Sequence, residues 1–304
     1  MATSSSWASQ GSYLANPKLS RTTRHAAQAE MVFRQYADIQ EEFGKKKGNT
    51  YNFDKWGNIS TKGGKLTETA TMPRRSHTPY QGTGTVDEYG NGHPFTGKLE
   101  ALSTFDERQK INTILKNDMV DVMDTEVEAE FAKTKIVYVA SSATARNIYT
   151  NGTPTETASV GFDAFHAKNI VDYLYGTMKA KRFSGGYYHG ILSVHAARGL
   201  HDALQEFWKY TKYPTNGELG SYYKTRYNMT NNAISNAVGV GAAFGEAYIF
   251  GADTVVEAVT IPEEIRYEEK DVGRDKMIAW YSILGFKIYW ASDPDNSIVK
   301  FGSA

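Results

Sequence analysis

Three histidines recur every six residues, and they are the side chains of this chain that could most readily do chemistry: His189, His195 and His201. Histidine serves as a general base in many hydrolases because its pKa lies near neutrality. A nucleophile and carboxylates are close in sequence, at Ser193, Asp202 and Glu206. A step of six does not place side chains on one helical face, and neither G-x-S-x-G nor H-E-x-x-H occurs. The spacing favours histidines at the ends of a strand and a helix, with a hydrolase using His189 or His195 as the enzyme alternative.

Composition limits the other kinds of chemistry. The chain has 304 residues and no cysteine, so disulfides, cysteine-ligated zinc and thiol catalysis are excluded. Its formal net charge is zero, which argues against a dedicated nucleic-acid-coating protein. Aromatic residues at 13% argue against wholesale disorder. We therefore expect a folded protein with no catalytic residues, no cofactor and no metal site.

The most apolar run is Met277–Trp290, which has 14 residues and contains Lys287. A membrane-spanning helix needs about 20 predominantly apolar residues. The run therefore predicts a buried strand pair bent at Gly285, in a soluble protein with no membrane partner. The N-terminal segment has no apolar region of the kind that a secretory signal requires.

The residues from Gly44 to Ala101 form a long stretch with little core-forming pattern, rich in Gly, Thr, Lys and Arg. A structureless loop of that length is uncommon inside a compact domain. Asn91-Gly92 predicts a type I′ hairpin turn with an extended segment on each side. Because an isolated two-stranded ribbon is marginal in water, this β-arm must lie on another surface.

A helix is predicted on each side of the arm. The first runs from about Arg24 to Phe43. The second runs from Ser103 to about Lys133, starting at a capping box, and would be about 45 Å long. Its apolar stripe recurs at helical spacing through Ile111, Ile114, Leu115, Met119, Val122, Met123, Val127 and Phe131.

The rest of the chain mixes helices and strands in an α+β order. Strands are predicted at 135–140 and 187–194, and helices at 162–182 and around Leu200. The segment 210–241 is dense in Tyr and Asn and predicts a loop, and the tail from Glu246 to Phe301 predicts a series of strands.

Charge is distributed unevenly along this neutral chain. Residues 1–80 hold twelve Lys and Arg against six Asp and Glu, whereas residues 103–133 hold eight acids against four bases. A basic arm and an acidic helix are what complementary patches between copies of one protein would look like. The alternative is that both are solvated faces.

The order of these segments resembles the major capsid proteins of tailed phages, the Johnson fold first seen in a Hong Kong phage. The segment FGKKKGNTYNFDKWGNIS is similar to the start of the extended loop in capsid proteins of N-four-like phages. The segments YHGILSVHAARGLHDAL and RDKMIAWYSILGFKIYW are similar to later strands and helices of those proteins. The resemblance covers the chain from about Phe43 onward.

The resemblance implies a division into four regions. Residues 1–43 would be the N-terminal arm, and 44–101 the extended β-loop. Residues 102–140 and 252–304 would form the peripheral domain, with the spine helix at 103–133, and 141–251 the axial domain.

The resemblance also implies function and partners. Hexamers and pentamers of the subunit would tile an icosahedral shell around double-stranded DNA, in a virion capsid assembled in the host cytoplasm. A separate scaffolding protein, a portal and decoration proteins are further expected partners. An encapsulin-like nanocompartment shell shares the fold and is the alternative within it.

Two sets of residues are predicted to make these contacts. The inter-subunit set combines arm residues with acids of the spine helix: Trp56, Arg74, Arg75, Tyr80, Phe95, Asp118, Asp121, Asp124 and Glu128. The set predicted to face packaged DNA, through weak and non-specific contacts, is Lys18, Arg21 and Arg24.

Overall fold

The structure is a computed structural model that describes residues 31–40, 46–57, 63–69, 71, 72, 74, 79–144, 147–208, 218–230, 246–291 and 296–303. Four predicted contact residues lie outside those ranges, namely Lys18, Arg21, Arg24 and Arg75. The described residues build two large sheets, a two-stranded ribbon and helices packed on the sheets.

A four-stranded sheet and one long helix form the first half of the fold. The sheet order is β1-β11-β12-β4, with β1 parallel to β11 and the other pairs antiparallel. Its strands are β1 (Asp38–Gln40), β4 (Asp87–Thr96), β11 (Val255–Lys270) and β12 (Asp275–Ile288). A short helix α1 (Gly97–Leu102) follows β4, and the long helix α2 (Glu107–Phe131) packs on β12.

A seven-stranded sheet forms the second half, in the order β6-β5-β13-β10-β7-β9-β8. The pairs β5–β13 and β7–β9 are parallel and the others antiparallel. Its strands are β5 (Val137–Val139), β6 (Asn147–Tyr149), β7 (Tyr188–Leu192), β8 (Glu218–Tyr222), β9 (Thr225–Met229), β10 (Glu246–Phe250) and β13 (Ile298–Gly302). Helices α3 (Ala164–Asp172), extended by a π turn at Tyr173–Met178, and α4 (Val194–Trp208) cover one face.

The predicted long helix is present but shorter than expected. It begins at Glu107, because the Asp106 carboxylate accepts a hydrogen bond from the Gln109 backbone N–H at 3.2 Å and caps the first turn. The side chains of Ile111, Leu115, Met123, Val127 and Phe131 are buried against the sheets, as the apolar spacing predicted. Ile114, in contrast, is exposed and does not widen the stripe.

The predicted hairpin turn at Asn91-Gly92 is wrong. Both residues lie inside β4 and pair with Trp280 and Ala279 of β12. The glycine is used for close packing, because a Cβ on Gly92 would lie 2.5 Å from Cε of Met277. Ten residues of pairing to the long β12 outweigh a local turn preference.

Three further predictions are corrected by strand pairing. Residues 31–40 form a single 3₁₀ turn and β1 where a helix was predicted, because β1 pairs with β11; residues 24–30 and 41–43 lie outside the described residues. Met277–Trp290 is not a bent strand pair, since one strand, β12, continues through Gly285, which pairs with Ala258. The predicted loop at 210–241 contains the hairpin β8–β9.

The β8–β9 hairpin was missed because its turn lacks the usual residues. Tyr222 pairs with Thr225, and the two residues between them, Tyr223 and Lys224, have φ of 45° and 60°. Positive φ at both central residues defines a type I′ turn, which normally selects Asn and Gly. Here the turn is fixed by its flanking strands.

A buried carboxylate fixes where the N-terminal segment meets the core. Oδ1 of Asp124, in α2, accepts hydrogen bonds from the backbone N–H groups of Val32, Phe33 and Arg34 at 3.0, 2.7 and 3.1 Å. Asp124 is fully buried, so these three donors provide the compensation that a buried charge requires. The contact holds the 3₁₀ turn at Arg34–Tyr36 against the long helix.

The same segment is tied to β11 by an ion pair. The Arg34 guanidinium donates to both carboxylate oxygens of Glu257, with Nη2 2.6 Å from Oε1, and also pairs with Glu263. Glu257 is fully buried, so the pair is enclosed within the protein. The backbone and side chain of this one segment therefore join the helix and the sheet.

Four aromatic rings join the two halves of the fold. Phe131, at the end of α2, lies 5.5 Å from Phe33, 5.8 Å from Tyr248 and 5.0 Å from Phe250, in edge-to-face geometry. Tyr248 and Phe250 belong to β10 of the seven-stranded sheet. Such pairs stabilise by about 0.5–1.5 kcal/mol each beyond their burial.

We predict that Asp124→Ala destabilises the protein by roughly 2–4 kcal/mol, because two buried backbone N–H groups and one partly buried one lose their acceptor. Chemical denaturation measures the change. The matched control is Asp121→Ala on the exposed part of the same helix, expected within about 0.5 kcal/mol of the wild type. Equal effects of the two substitutions would contradict this role for Asp124.

Candidate assembly surface

A two-stranded ribbon lies against the four-stranded sheet and is formed by β2 (Thr50–Trp56) and β3 (Pro79–Thr85). On its inner face Tyr51 and Phe53 are buried against Val256 and Ala258 of β11. The predicted β-arm is therefore present, but its strands are 50–56 and 79–85 and residues 57–78 connect them.

Glycines on β3 make room for the two rings. Gly84 lies opposite Tyr51, and Gly82 opposite Phe53. A Cβ on either glycine would lie 2.3 Å from a ring carbon, so each ring lies directly over the backbone of the facing strand. Aromatic rings covering cross-strand glycines stabilise the pairing of a ribbon that has no core of its own.

A third glycine brings the ribbon close to the sheet. A Cβ on Gly285 of β12 would lie 2.4 Å from the Thr85 carbonyl oxygen and 2.9 Å from Cε1 of Tyr51. Any side chain at this position would push the end of β3 off the sheet. The close approach of the Thr85 carbonyl therefore explains why the apolar strand β12 has a glycine at position 285.

Aromatic residues after β12 support the outer part of β2. The Tyr289 ring stacks on Phe53 at 5.5 Å, and its hydroxyl donates to the Asp54 carbonyl oxygen at 2.9 Å. The Lys55 ammonium lies 5.1 Å from the ring centre of Trp290. Burial, and secondarily the charge of Lys287, lower the pKa of Lys55 below its usual range.

The ribbon borders a polar cleft on its other side. The cleft has a volume of about 290 Å³ and lies between β3, β4, α2 and β12. The charged residues that line it are Asp87, Glu126, Glu130, Lys133 and Lys287. Burial raises the pKa of Tyr89, at the cleft wall, to about 12, with the Glu126 charge adding to the shift. Apart from the rings of Tyr89 and Phe286, the cleft presents charged groups to the ribbon.

The free end of the ribbon and its connection expose large apolar side chains. Trp56 is 68% exposed and Tyr80 is 55% exposed on adjacent strands, and Met72 and Leu66 of the connection are 68% and 46% exposed. Arg74 is also exposed. An extended element with exposed aromatic side chains and unpaired strand edges is suited to binding another chain.

The acidic residues predicted to receive the arm are used differently from one another. Asp121 is exposed. Asp118 accepts hydrogen bonds from Trp280 Nε1 at 2.8 Å and Asn91 Nδ2 at 3.1 Å. Asp124 is fully buried in the contact to residues 32–34.

Two other predicted contact residues also act inside the subunit. Glu128 accepts a hydrogen bond from the Tyr248 hydroxyl at 2.6 Å, and burial raises the pKa of its carboxyl group. Phe95 is buried in the core beside α2. The predicted surface roles of Phe95 and Asp124 are therefore corrected, because buried side chains present no area to a neighbour.

The histidines do not form a hydrolase site. Side chains alternate along β7: Tyr188 and Leu192 pack under α3 and α4, whereas His189 packs with Tyr36, Phe183 and Phe250 on the opposite face. His195 and His201 are exposed on α4. The sheet therefore separates His189 from the other two, and Ser193 caps α4 by accepting from the Ala196 N–H.

Neither a metal cluster nor a membrane span is found in the part of the chain that the structure describes. Among these residues no group of three or more His, Asp or Glu side chains is arranged to hold a metal ion. None of the described helices combines the length and apolarity that crossing a membrane requires.

Comparison with solved structures identifies the fold. The cyanophage Pam1 capsid unit aligns with 96% of this chain and 98% of its own at a TM-score of 0.70 and 14% identity. The capsid of cyanophage P-SCSP1u aligns with 97% of this chain and 94% of its own, at a TM-score of 0.67 and 11% identity. The capsid of Ralstonia phage GP4 aligns with 95% of this chain and 96% of its own, at a TM-score of 0.65 and 16% identity. The chain therefore has the α+β fold of tailed-phage major capsid proteins, as predicted.

Sequence comparison adds nothing to this assignment. No protein-family description matches the chain, and no curated protein matches it. The closer similarity to capsid proteins of N-four-like phages therefore stays a prediction.

We predict that Gly285→Ala destabilises the subunit by about 1–3 kcal/mol and loosens the ribbon, because the new methyl group would overlap the Thr85 carbonyl. Denaturation and hydrogen exchange of the Tyr51–Phe53 amides measure the two effects. Gly64→Ala, where no atom lies within 4 Å, is the control and should change neither. Unchanged exchange in the Gly285 variant would refute the proposed close approach.

We also predict a pH dependence that comes from His189. Burial, with a smaller contribution from the Arg226 charge, lowers its pKa to about 4, against about 6.5 in an unfolded chain. The unfolded state therefore binds more protons, and stability present above pH 6.5 is lost as the pH falls towards 4. We expect His189→Gln to reduce the change in the denaturation midpoint with pH over this interval. The substitution His201→Gln, at an exposed position, should leave the pH dependence of the midpoint unchanged.

Proposed function

We propose that this chain is a major capsid protein, a structural subunit that assembles as hexamers and pentamers into an icosahedral phage head around double-stranded DNA. The observation that carries the proposal is the ribbon, which exposes Trp56 and Tyr80 at its free end in a chain with the capsid fold. The subunit would act in the virion capsid after assembly in the host cytoplasm, with a separate scaffolding protein, portal and decoration proteins as partners.

The proposed roles of the parts of the chain follow the four regions implied by the resemblance. Residues 1–43 serve as the arm, 44–101 as the extended loop, 102–140 with 252–304 as the peripheral domain, and 141–251 as the axial domain. The four-stranded sheet and α2 fall within the loop and peripheral regions, except for β1, and most of the seven-stranded sheet falls within the axial region.

The contacts between subunits use the residues that remain accessible. Trp56, Tyr80 and Arg74 on the ribbon and its connection are exposed, and Arg75 follows Arg74 in sequence. Asp121, with the partly exposed Asp118, is the acidic surface of α2 that a neighbour's basic loop would contact. Exposed ion pairs are worth about 0–1 kcal/mol each, so burial of the aromatic side chains supplies most of the affinity.

The primary experiment is negative-stain microscopy of the purified full-length protein, combined with analytical ultracentrifugation. Closed particles of megadalton mass support the proposal, whereas a monomer or small oligomer under all assembly conditions contradicts it. Nuclease-protected DNA in particles isolated from infected cells distinguishes a phage head from an encapsulin-like compartment, which would hold protein cargo.

We predict that Trp56→Ser leaves the subunit folded but lowers assembly at least about tenfold, because an exposed aromatic that becomes buried at an interface contributes more than about 1.4 kcal/mol. Sedimentation gives the assembled fraction, and denaturation verifies folding. Val194→Ser, which removes an apolar side chain that is 49% exposed on α4, is the control and should assemble normally. Wild-type assembly by the Trp56 variant would exclude this ribbon contact.

A further inference from the structure

Basic side chains cluster where three segments meet at one end of the seven-stranded sheet: the π turn after α3, the loop before β7, and the β8–β9 turn. The backbone N–H of Tyr188 donates to the Lys224 carbonyl oxygen at 2.9 Å, which holds two of these segments together. We call this surface the basic–tyrosine patch, and it comprises Lys168, Tyr175, Lys179, Lys181, Arg182, Tyr187, Tyr222, Lys224 and Arg226.

Four of the six cations of the patch lie over tyrosine rings. Cζ of Arg182 is 4.3 Å from the ring centre of Tyr175, and Nζ of Lys224 approaches the same ring at 5.7 Å. Cζ of Arg226 lies 4.8 Å from the Tyr187 ring. Cation–π contacts hold a long basic side chain in place and leave its positive charge uncancelled.

Several cations elsewhere in the described residues are paired with carboxylates. Arg34 pairs with Glu257, Arg108 with Glu100, and Lys276 with Glu100 and Glu269. Within the patch, Lys181 pairs with Asp253. Among the described residues, no carboxylate forms an ion pair with Lys179, Arg182, Lys224 or Arg226. Asp172, the other acid here, accepts a hydrogen bond from the Tyr223 hydroxyl at 2.8 Å.

The patch is therefore strongly positive within a neutral chain. Six cations stand against two carboxylates, which leaves a net charge of +4. Lys179, Lys181, Lys224 and Arg226 are exposed, so their charges are accessible from solvent. The Arg226 charge also contributes to the lowered pKa of His189 in the neighbouring strand.

We propose that the basic–tyrosine patch binds the phosphate backbone of nucleic acid without sequence preference. Guanidinium and ammonium groups are the usual ligands of backbone phosphates, and Arg182 and Arg226 present theirs on fixed ring supports. The tyrosine faces are already occupied by cations, so the patch contacts phosphates and does not stack on bases. The inference rests on the proposed function, because a shell around a genome supplies the polyanion.

A second copy of the chain fits this patch less well. The most acidic exposed segment of the four-stranded sheet is the outer half of β11, and its carboxylates are already paired within the subunit. Glu264 pairs with Arg266, Glu268 with Lys270, and Glu269 with Arg108 and Lys276. A phosphate backbone, by contrast, carries charges that no part of the protein has neutralised.

The test measures DNA binding by the unassembled full-length chain, using fluorescence anisotropy of a labelled random-sequence duplex over a series of NaCl concentrations. The variant is Lys224→Gln with Arg226→Gln. Its matched control is Lys270→Gln with Arg274→Gln at the β11–β12 turn, where both side chains are exposed and ion-paired. Lys224→Gln alone, in an exposed turn, is the second variant if the double variant does not fold.

The wild type and the control should bind with affinity that falls steeply with salt. The patch variant should bind at least about tenfold more weakly at low salt, and its log–log salt slope should be smaller by about 2, since each phosphate contact contributes about 0.9. Absence of wild-type binding, or equal loss in the control, would overturn the inference. Loss of assembly with unchanged DNA affinity would also overturn it and identify the patch as a contact between copies.

The two proposals fail separately. If particles form normally but the patch variant binds DNA as tightly as the wild type, only the patch proposal is excluded. Salt-dependent DNA binding through the patch by a chain that never forms particles would exclude only the shell.

Discussion

The rest of the structure depends on how one short segment, Val32–Tyr36, is held. The buried Asp124 carboxylate accepts three of its backbone N–H groups, the Arg34 side chain reaches the buried Glu257, and the Phe33 ring packs on Phe131 and Tyr248. Helix, four-stranded sheet and seven-stranded sheet thus meet on five residues. Buried charges are stable only when fully paired, so this junction tolerates one arrangement of the three elements. A defined junction gives every copy of the chain the same relative placement of its two halves.

The ribbon, unlike this junction, has few buried contacts with the rest of the chain. Its inner rings cover facing glycines, and its contact with the sheet depends on Gly285. Few apolar side chains secure it to the sheet. Of its two large exposed rings, Trp56 lies on the outer face, whereas the Tyr80 ring contacts Trp290 at 6.3 Å. The protein therefore combines an enclosed junction with an extension that leaves large aromatic side chains exposed.

Much of this fold could be predicted from sequence, and the errors have physical causes. The apolar repeat of α2 was decisive, because residues such as Leu115 and Val127 have no other reason to recur at helical spacing. Local signals failed where distant strands decided the outcome: Asn91-Gly92 has a turn sequence but lies in a strand, and Tyr223-Lys224 lacks a turn sequence but forms one. Asp124 was read as a surface acid because nothing local to it indicates that the backbone of residues 32–34, far away in sequence, needs an acceptor. The cation–tyrosine contacts were missed for the same reason.

The ribbon has only a small apolar contact with its own sheet, and this would matter for how a growing shell closes. A subunit at an open rim would keep the indole of Trp56 in water, and an enclosed subunit would not. The ribbon's final position would then depend on the arrival of a neighbour and not on the folding of its own chain. Each subunit would thus report locally whether the lattice around it is closed, with no separate sensor.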